Sequence, residues 1–198
     1  MTNMVEIDRR GYSVEDFERQ YNPRQAVPDH QGKIDARVTV SAEARCRIEG
    51  VYDLRYGPGP LELLDVFPAE AEAAPVQLYM HGGYWRAMDK SDYSHLATDV
   101  VAAGVTHISL NYDLCPDVTL DTIVEEIKRA VIYIYQNANA LGIDAERLYI
   151  SGHSAGGHLT AMMMRQNWTD AGLPKDVFKG AMPVSGAFEP EAIMHTSI

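Results

Sequence analysis

The chain has 198 residues, 46% of them hydrophobic and 23% charged, with a formal net charge of −11. That length is ample for one globular domain with a packed core, and the acidic balance argues against nucleic acid and anionic membrane surfaces as partners. Residues 1–10 lack the apolar centre of a signal peptide, no apolar run approaches membrane-spanning length, and Cys46 and Cys115 lack a CxxC or Cys/His ligand spacing. A cytoplasmic protein with reduced, partly buried thiols is expected.

The first fifty residues read as a helical and irregular extension. Residues 13–21 (SVEDFERQY) predict a short helix, Pro23 and Pro28 punctuate the next stretch, and Ser41 is placed to cap a helix over SAEARCRI. VYDLRYG (51–57) and LELLDVF (61–67) flank a Pro-Gly-Pro turn and predict an antiparallel pair. From residue 75 strands and helices alternate. PVQLYM (75–80) and VTHISL (105–110) predict buried strands with a helix over 91–103 between them. Ile123, Ile127, Val131 and Ile134 recur at helical spacing, with Gly142 as the stop. RLYIS (147–151) and KGAMPVSGAF (179–188) predict two more strands, separated by an Ala/Met-rich helix. Such alternation means an α/β fold, a mostly parallel sheet with helices on both faces and an antiparallel hairpin at its start.

Gly152-His153-Ser154-Ala155-Gly156 is a G-x-S-x-G pentapeptide with a buried strand before it and a helix after it. In that setting only small residues fit two positions either side of the serine. The turn lifts the Ser154 hydroxyl to a helix N-terminus, where N–H groups favour developing negative charge. A second motif, His81-Gly82-Gly83-Tyr84-Trp85, directly follows the strand at 75–80. An oxyanion hole draws N–H donors from the residue after the nucleophile and from the loop after the third strand. Ala155, Gly83 and Tyr84 are therefore the candidate donors. A phosphate-binding loop at 152–157 is excluded, because no G-x-G-x-x-G and no Gly-Lys-Ser/Thr is present. No His/Asp/Glu cluster has metal-ligand spacing.

These motifs resemble the α/β-hydrolase superfamily, and within it the esterases with an HGG-type oxyanion loop. YNPRQAVPD (21–29), YGPGPLELLDVFP (56–68), HGGYWRAMDKSDYS (81–94) and NYDLCPDVTL (111–120) resemble the kynurenine formamidase-like (arylformamidase) group, while GHSAGGHL (152–159) is shared more widely. The resemblance implies hydrolysis of a small ester or amide through an acyl-enzyme on Ser154, with no metal or organic cofactor. A small acyl compound such as N-formylkynurenine is the implied substrate. A short-chain carboxylesterase is the nearest alternative, and a non-catalytic acyl-ligand-binding module is the alternative of a different class. Tyr84, Trp85 and Tyr93 are candidates for an aromatic-accepting pocket, with core packing as the competing role.

In this fold the triad runs Ser, then Asp or Glu, then His. Both partners are expected beyond Ile198, so the chain is expected to lack the last strands and to be inactive as it stands. His81 precedes the nucleophile, His153 and His158 flank it, and His95 and His107 have default structural places in a helix and a strand. His195, with Glu189 and Glu191 before it, falls too early for the architecture. An incomplete sheet predicts an exposed apolar edge and a tendency to form homo-oligomers.

Overall fold

The computed structural model describes residues 11–198. They group into two compact units, one made of the segment up to Ala36 together with Ala187–Ile198, the other of Arg37–Gly186. In the first, helix α1 (Val14–Tyr21) begins with a capping box. The Ser13 hydroxyl accepts from the Asp16 N–H at 3.2 Å, and Asp16 accepts in return from the Ser13 N–H at 3.1 Å. Phe17 of this helix is buried and stacks on the His195 ring, with centroids 4.9 Å apart. A short helix α2 (Pro23–Ala26) follows, and helix α7 (Pro190–Ile193) completes the unit.

The larger unit is built on a six-stranded sheet: β1 (Val51–Arg55), β2 (Leu63–Phe67), β3 (Ala74–Met80), β4 (Thr106–Leu110), β5 (Ile143–His153) and β6 (Phe178–Val184), in the order β1-β2-β4-β3-β5-β6. β2 runs antiparallel to β1 and β4, and the β4-β3-β5-β6 block is parallel throughout. This is the mixed, mostly parallel sheet expected of the sequence. Register aligns the strand ends, with Met80 opposite both Leu110 and Gly152, and Gly152 opposite Pro183. The loops after β3, β4, β5 and β6 therefore emerge along one edge, where open α/β sheets place their ligand crevices. Leu64, Leu78, Met80, Ile108, Leu110 and Leu148 have no exposed surface, as expected where both faces are covered. Helix α5 (Leu120–Gln136) lays the fully buried stripe Ile123, Ile127, Ala130, Val131 and Ile134 into this core. Helix α6 is Ala155–Met164.

Five local expectations are corrected. Ser41 does not begin a helix, because α3 already starts at His30 and runs to Arg47. Ser41 is buried within it, its hydroxyl 2.7 Å from the Asp92 carbonyl and 2.8 Å from His95 Nδ1, so tertiary contacts hold a serine that would otherwise favour a cap. The helix expected over 91–103 is broken into a 3-10 turn (Lys90–Tyr93) and helix α4 (Leu96–Ala102). Asp89 caps the 3-10 turn, accepting from the Ser91 N–H at 2.8 Å. Helix α5 ends at its C-cap Asn137, and Gly142 (φ 68°) instead turns the chain into β5. β6 stops at Val184, and Cys46 is exposed rather than partly buried.

Candidate active site

Ser154 lies between the end of β5 and the start of α6 with φ 57° and ψ −115°, a backbone region that costs of order 1–3 kcal/mol for any residue with a side chain. Its N–H donates to the Val184 carbonyl at 2.9 Å and its carbonyl accepts from the His158 N–H at 3.1 Å, so β6 and α6 together fix the turn. A Cβ on Gly152 would strike the Gly156 carbonyl, and one on Gly156 would strike the carbonyls of Met80 and His81. The G-x-S-x-G spacing is thus a packing requirement of this junction. Among the described residues the Ser154 hydroxyl makes no hydrogen bond.

The loop after β3 is packed against this turn. A Cβ built on Gly82 would lie 3.3 Å from Ser154 Cβ and 3.0 Å from the His153 carbonyl oxygen, so a side chain there would crowd the serine. Gly83 (φ 114°), Tyr84 (φ 53°) and Trp85 (φ 57°) then turn in succession through the left-handed half of backbone space. The loop is closed by the Arg86 N–H on the Gly83 carbonyl at 3.0 Å and by the Cys115 N–H on the Trp85 carbonyl at 2.7 Å. Ala155 is fully buried at the first position of α6.

Of the pocket candidates, Trp85 is buried with its ring edge-on to His158 at 5.2 Å. Neither Trp85 Nε1 nor His158 Nδ1 finds a hydrogen-bond partner among the described residues. Tyr93 is also buried, 5.5 Å from the Tyr79 ring and beneath the Arg37 guanidinium at 4.4 Å, the surroundings of a core aromatic. Tyr84 is half-buried.

The histidines have distinct environments. Burial lowers the pKa of His153, with the Arg37 charge adding to it, and burial alone lowers that of His158. His107, buried between Gln77 and Ser109, is pushed down to about 3 by burial and stays neutral. His95 is tied to Ser41, and His195 rests on Phe17. His81 is fully buried, Nε2 at 2.9 Å from Asn111 Oδ1 and Nδ1 at 2.7 Å from the Gly82 carbonyl. Burial lowers its pKa, against the pull of the Gly82 carbonyl, Asn111, Asp89 and Asp92.

Behind the loop lies a polar network that motif reading missed. The Asn111 amide accepts from the Lys90 N–H at 3.2 Å and donates to Asp89 at 2.7 Å. The buried Lys90 ammonium pairs with Asp53 at 2.6 Å and with Asp65 at 3.0 Å, and Asp65, itself fully buried, also takes the Arg45 guanidinium at 2.5 Å. HGGYWRAMDK and NYDLCPD were visible as stretches, but only the parallel pairing of β3 with β4 brings their ends together. Among the described residues no group of three His, Cys, Asp or Glu side chains could hold a metal ion, and no helix is long and apolar enough to cross a membrane.

The profile of the BD-FAE family matches residues 64–187, more than half of the chain. The chain belongs to the BD-FAE family. It is 30% identical to a kynurenine formamidase of Danio rerio over 96% of its own length and 66% of the relative's, and 32% identical to one of Drosophila melanogaster over 79% and 52%. This family member therefore spans about two thirds or less of the relatives it matches. A crystal structure from Silicibacter sp. tm1040, whose protein carries a provisional thioesterase assignment, superposes with a TM-score of 0.78 at 28% identity, covering 92% of this chain and 68% of that one. An esterase of Pyrobaculum calidifontis superposes with a TM-score of 0.63 at 22% identity, over 90% and 54%, and shows the same fold. The fold is that of the α/β-hydrolases, and the relatives the chain resembles are kynurenine formamidases and esterases.

Proposed function

We propose that this BD-FAE chain carries the nucleophile and oxyanion loop of a serine hydrolase that cleaves a small amide or ester through an acyl-enzyme. Ser154 is the nucleophile, and the N–H groups of Gly83, Tyr84 and Ala155 are the oxyanion donors. The observation that carries the reading is the glycine loop, whose Gly82 has no room for a side chain beside Ser154, facing a serine held at φ 57° on a strand-to-helix turn. In such a site Ser154 Oγ adds to the substrate carbonyl, and the oxygen's new charge is met by N–H groups from two elements and by the N-terminal end of α6. The C–N or C–O bond then breaks, the leaving group takes a proton, and water releases the acid from Ser154.

Activating Ser154 and the deacylating water needs a base. His153 and His158 are the nearest in sequence, and neither is hydrogen-bonded to Ser154 Oγ. Without a base both steps are slow, so the 198-residue chain is expected to react only with an activated ester, and without repeated turnover. The likeness to the zebrafish and fly kynurenine formamidases supports an N-formylkynurenine-type substrate. A short-chain carboxylesterase is the second reading, favoured by 34% identity to the esterase LipQ of Mycobacterium tuberculosis over 56% of the chain.

The test is product release from p-nitrophenyl acetate, with and without N-formylkynurenine, by the chain and by Ser154→Ala. About one equivalent of p-nitrophenol per chain, absent in the variant, is expected for acyl-enzyme accumulation. Protection of Ser154 from the ester by N-formylkynurenine supports the formamidase reading, and its absence selects the carboxylesterase reading. Equal release by chain and variant would overturn both.

A further inference from the structure

We propose that Asn111 and His81 are the positioning pair of the oxyanion loop: Asn111 keeps a proton on His81 Nε2, and a second proton, on Nδ1, closes the ring onto the Gly82 carbonyl and so aims the Gly83 N–H. This rests on reading the 81–85 loop as the oxyanion donor segment.

The orientation of the Asn111 amide is fixed by its neighbours. A backbone N–H can only donate, so the Asn111 atom facing Lys90 N at 3.2 Å is the oxygen. A carboxylate can only accept, so the atom facing Asp89 at 2.7 Å is the nitrogen. Both ends agree, and the oxygen is what His81 Nε2 meets at 2.9 Å, so that nitrogen carries hydrogen. Across the ring, Nδ1 faces a second acceptor, the Gly82 carbonyl, at 2.7 Å. The contact is attractive only when Nδ1 is protonated too. In a trans peptide the C=O and the following N–H point in opposite directions. A Gly82 carbonyl held on the imidazole therefore leaves the Gly83 N–H directed away from His81, on a loop whose Gly82 has no room for a side chain beside Ser154.

The groups facing the ring bear on that second proton. Tyr112 stacks on it at 4.4 Å, and the Tyr112 hydroxyl donates to the His81 carbonyl at 2.9 Å while lying 3.4 Å from Nδ1. Tyr93 lies at 6.2 Å, and His153 Nδ1 would be 3.5 Å from a Cβ on Gly82. Asp89 and Asp92 favour the cation, whereas complete burial opposes it more strongly. Lys90, on the same 3-10 turn, spends its charge on Asp53 and Asp65. The clamp therefore closes as pH falls through a value below the usual histidine range and opens above it.

The test is long-range ¹H–¹⁵N NMR of the histidine rings, with the Gly83 amide chemical shift, across a pH series for the 198-residue chain, Asn111→Asp and Asn111→Leu. In the unaltered chain, His81 Nε2 stays protonated at every pH, Nδ1 loses its proton below the usual histidine midpoint, and the Gly83 amide resonance shifts in step with it. Asn111→Asp still offers an acceptor to His81 and Lys90, so it keeps the Nε2 proton and raises the midpoint. Asn111→Leu lets His81 exchange tautomers and uncouples the Gly83 resonance from the ring. Should Asn111→Leu not fold, the unaltered chain and Asn111→Asp decide. A bare Nε2 at neutral pH, or a Gly83 resonance indifferent to pH and to both substitutions, would overturn the proposal. None of these readouts needs Ser154 to react, so their failure leaves the hydrolase reading untouched, and inactivity of Ser154 leaves the clamp untouched.

Discussion

At the scale of single residues, the strain at Ser154 (φ 57°, ψ −115°) persists because the atoms around it leave no alternative. Gly156 passes so close to the ends of β3 that a methyl group there would meet the Met80 and His81 carbonyls, which are backbone and cannot swing aside. Gly156→Ala is therefore expected to cost about 1–3 kcal/mol and to lower the melting temperature by roughly 2–4 °C per kcal/mol. Thermal unfolding followed by circular dichroism checks it. An unchanged melting temperature would mean that the strand-to-helix turn relaxes freely and does not hold the serine in place.

At the scale of elements, the connection between α5 and the loop after β4 carries a pH dependence. Glu126, on the inner face of α5, accepts from the Asp113 N–H at 2.8 Å, close to the buried Glu62 that Arg129 pairs with at 2.6 Å. Burial pushes the Glu126 carboxyl up to about 7 against the opposing Asp113 N–H, and the Asp113 and Glu62 charges push the same way as burial. A carboxyl whose folded pKa lies above its unfolded value favours the fold while protonated and loses that advantage as pH rises toward 7. Glu126→Gln keeps the acceptor without the charge. Its stability relative to the unaltered chain is expected to rise between pH 4.5 and 7 and to stay higher above that, measured by urea unfolding at several pH values. A constant difference across this range would contradict the assignment. Such charges are hard to see in sequence. β3, β4, the 147–151 part of β5 and the stripe of α5 were legible because short apolar runs and a 3.6-residue period each have one simple burial solution. Helix α3 was not, since its continuity through Ser41 depends on Asp92 and His95, about fifty residues away. The same holds for Asn111, whose importance to the loop follows from three partners at residues 81, 89 and 90 that only strand pairing brings within reach.

At the scale of the larger unit, its parallel strands bring two separate motifs to one sheet edge: β3 delivers the glycine loop, β5 the serine, and β6 the Val184 carbonyl that holds the Ser154 N–H. β6 is an edge strand of the described sheet, where Met182 is 57% exposed and Val184 39%. Solvent-facing apolar positions of this kind carry a risk of edge-to-edge association. The nucleophile and its loop were legible from the two glycine motifs, whereas the partners that would activate the serine were not, and the described residues place no hydrogen-bonded base on Ser154. The most direct test is therefore mass spectrometry of the folded chain after exposure to an activated acyl ester, with the adduct mapped by peptide. The predicted result is one acyl group per chain, on Ser154, and none on Ser154→Ala. An adduct on another residue, or the same adduct yield in Ser154→Ala, would contradict Ser154 as the nucleophile.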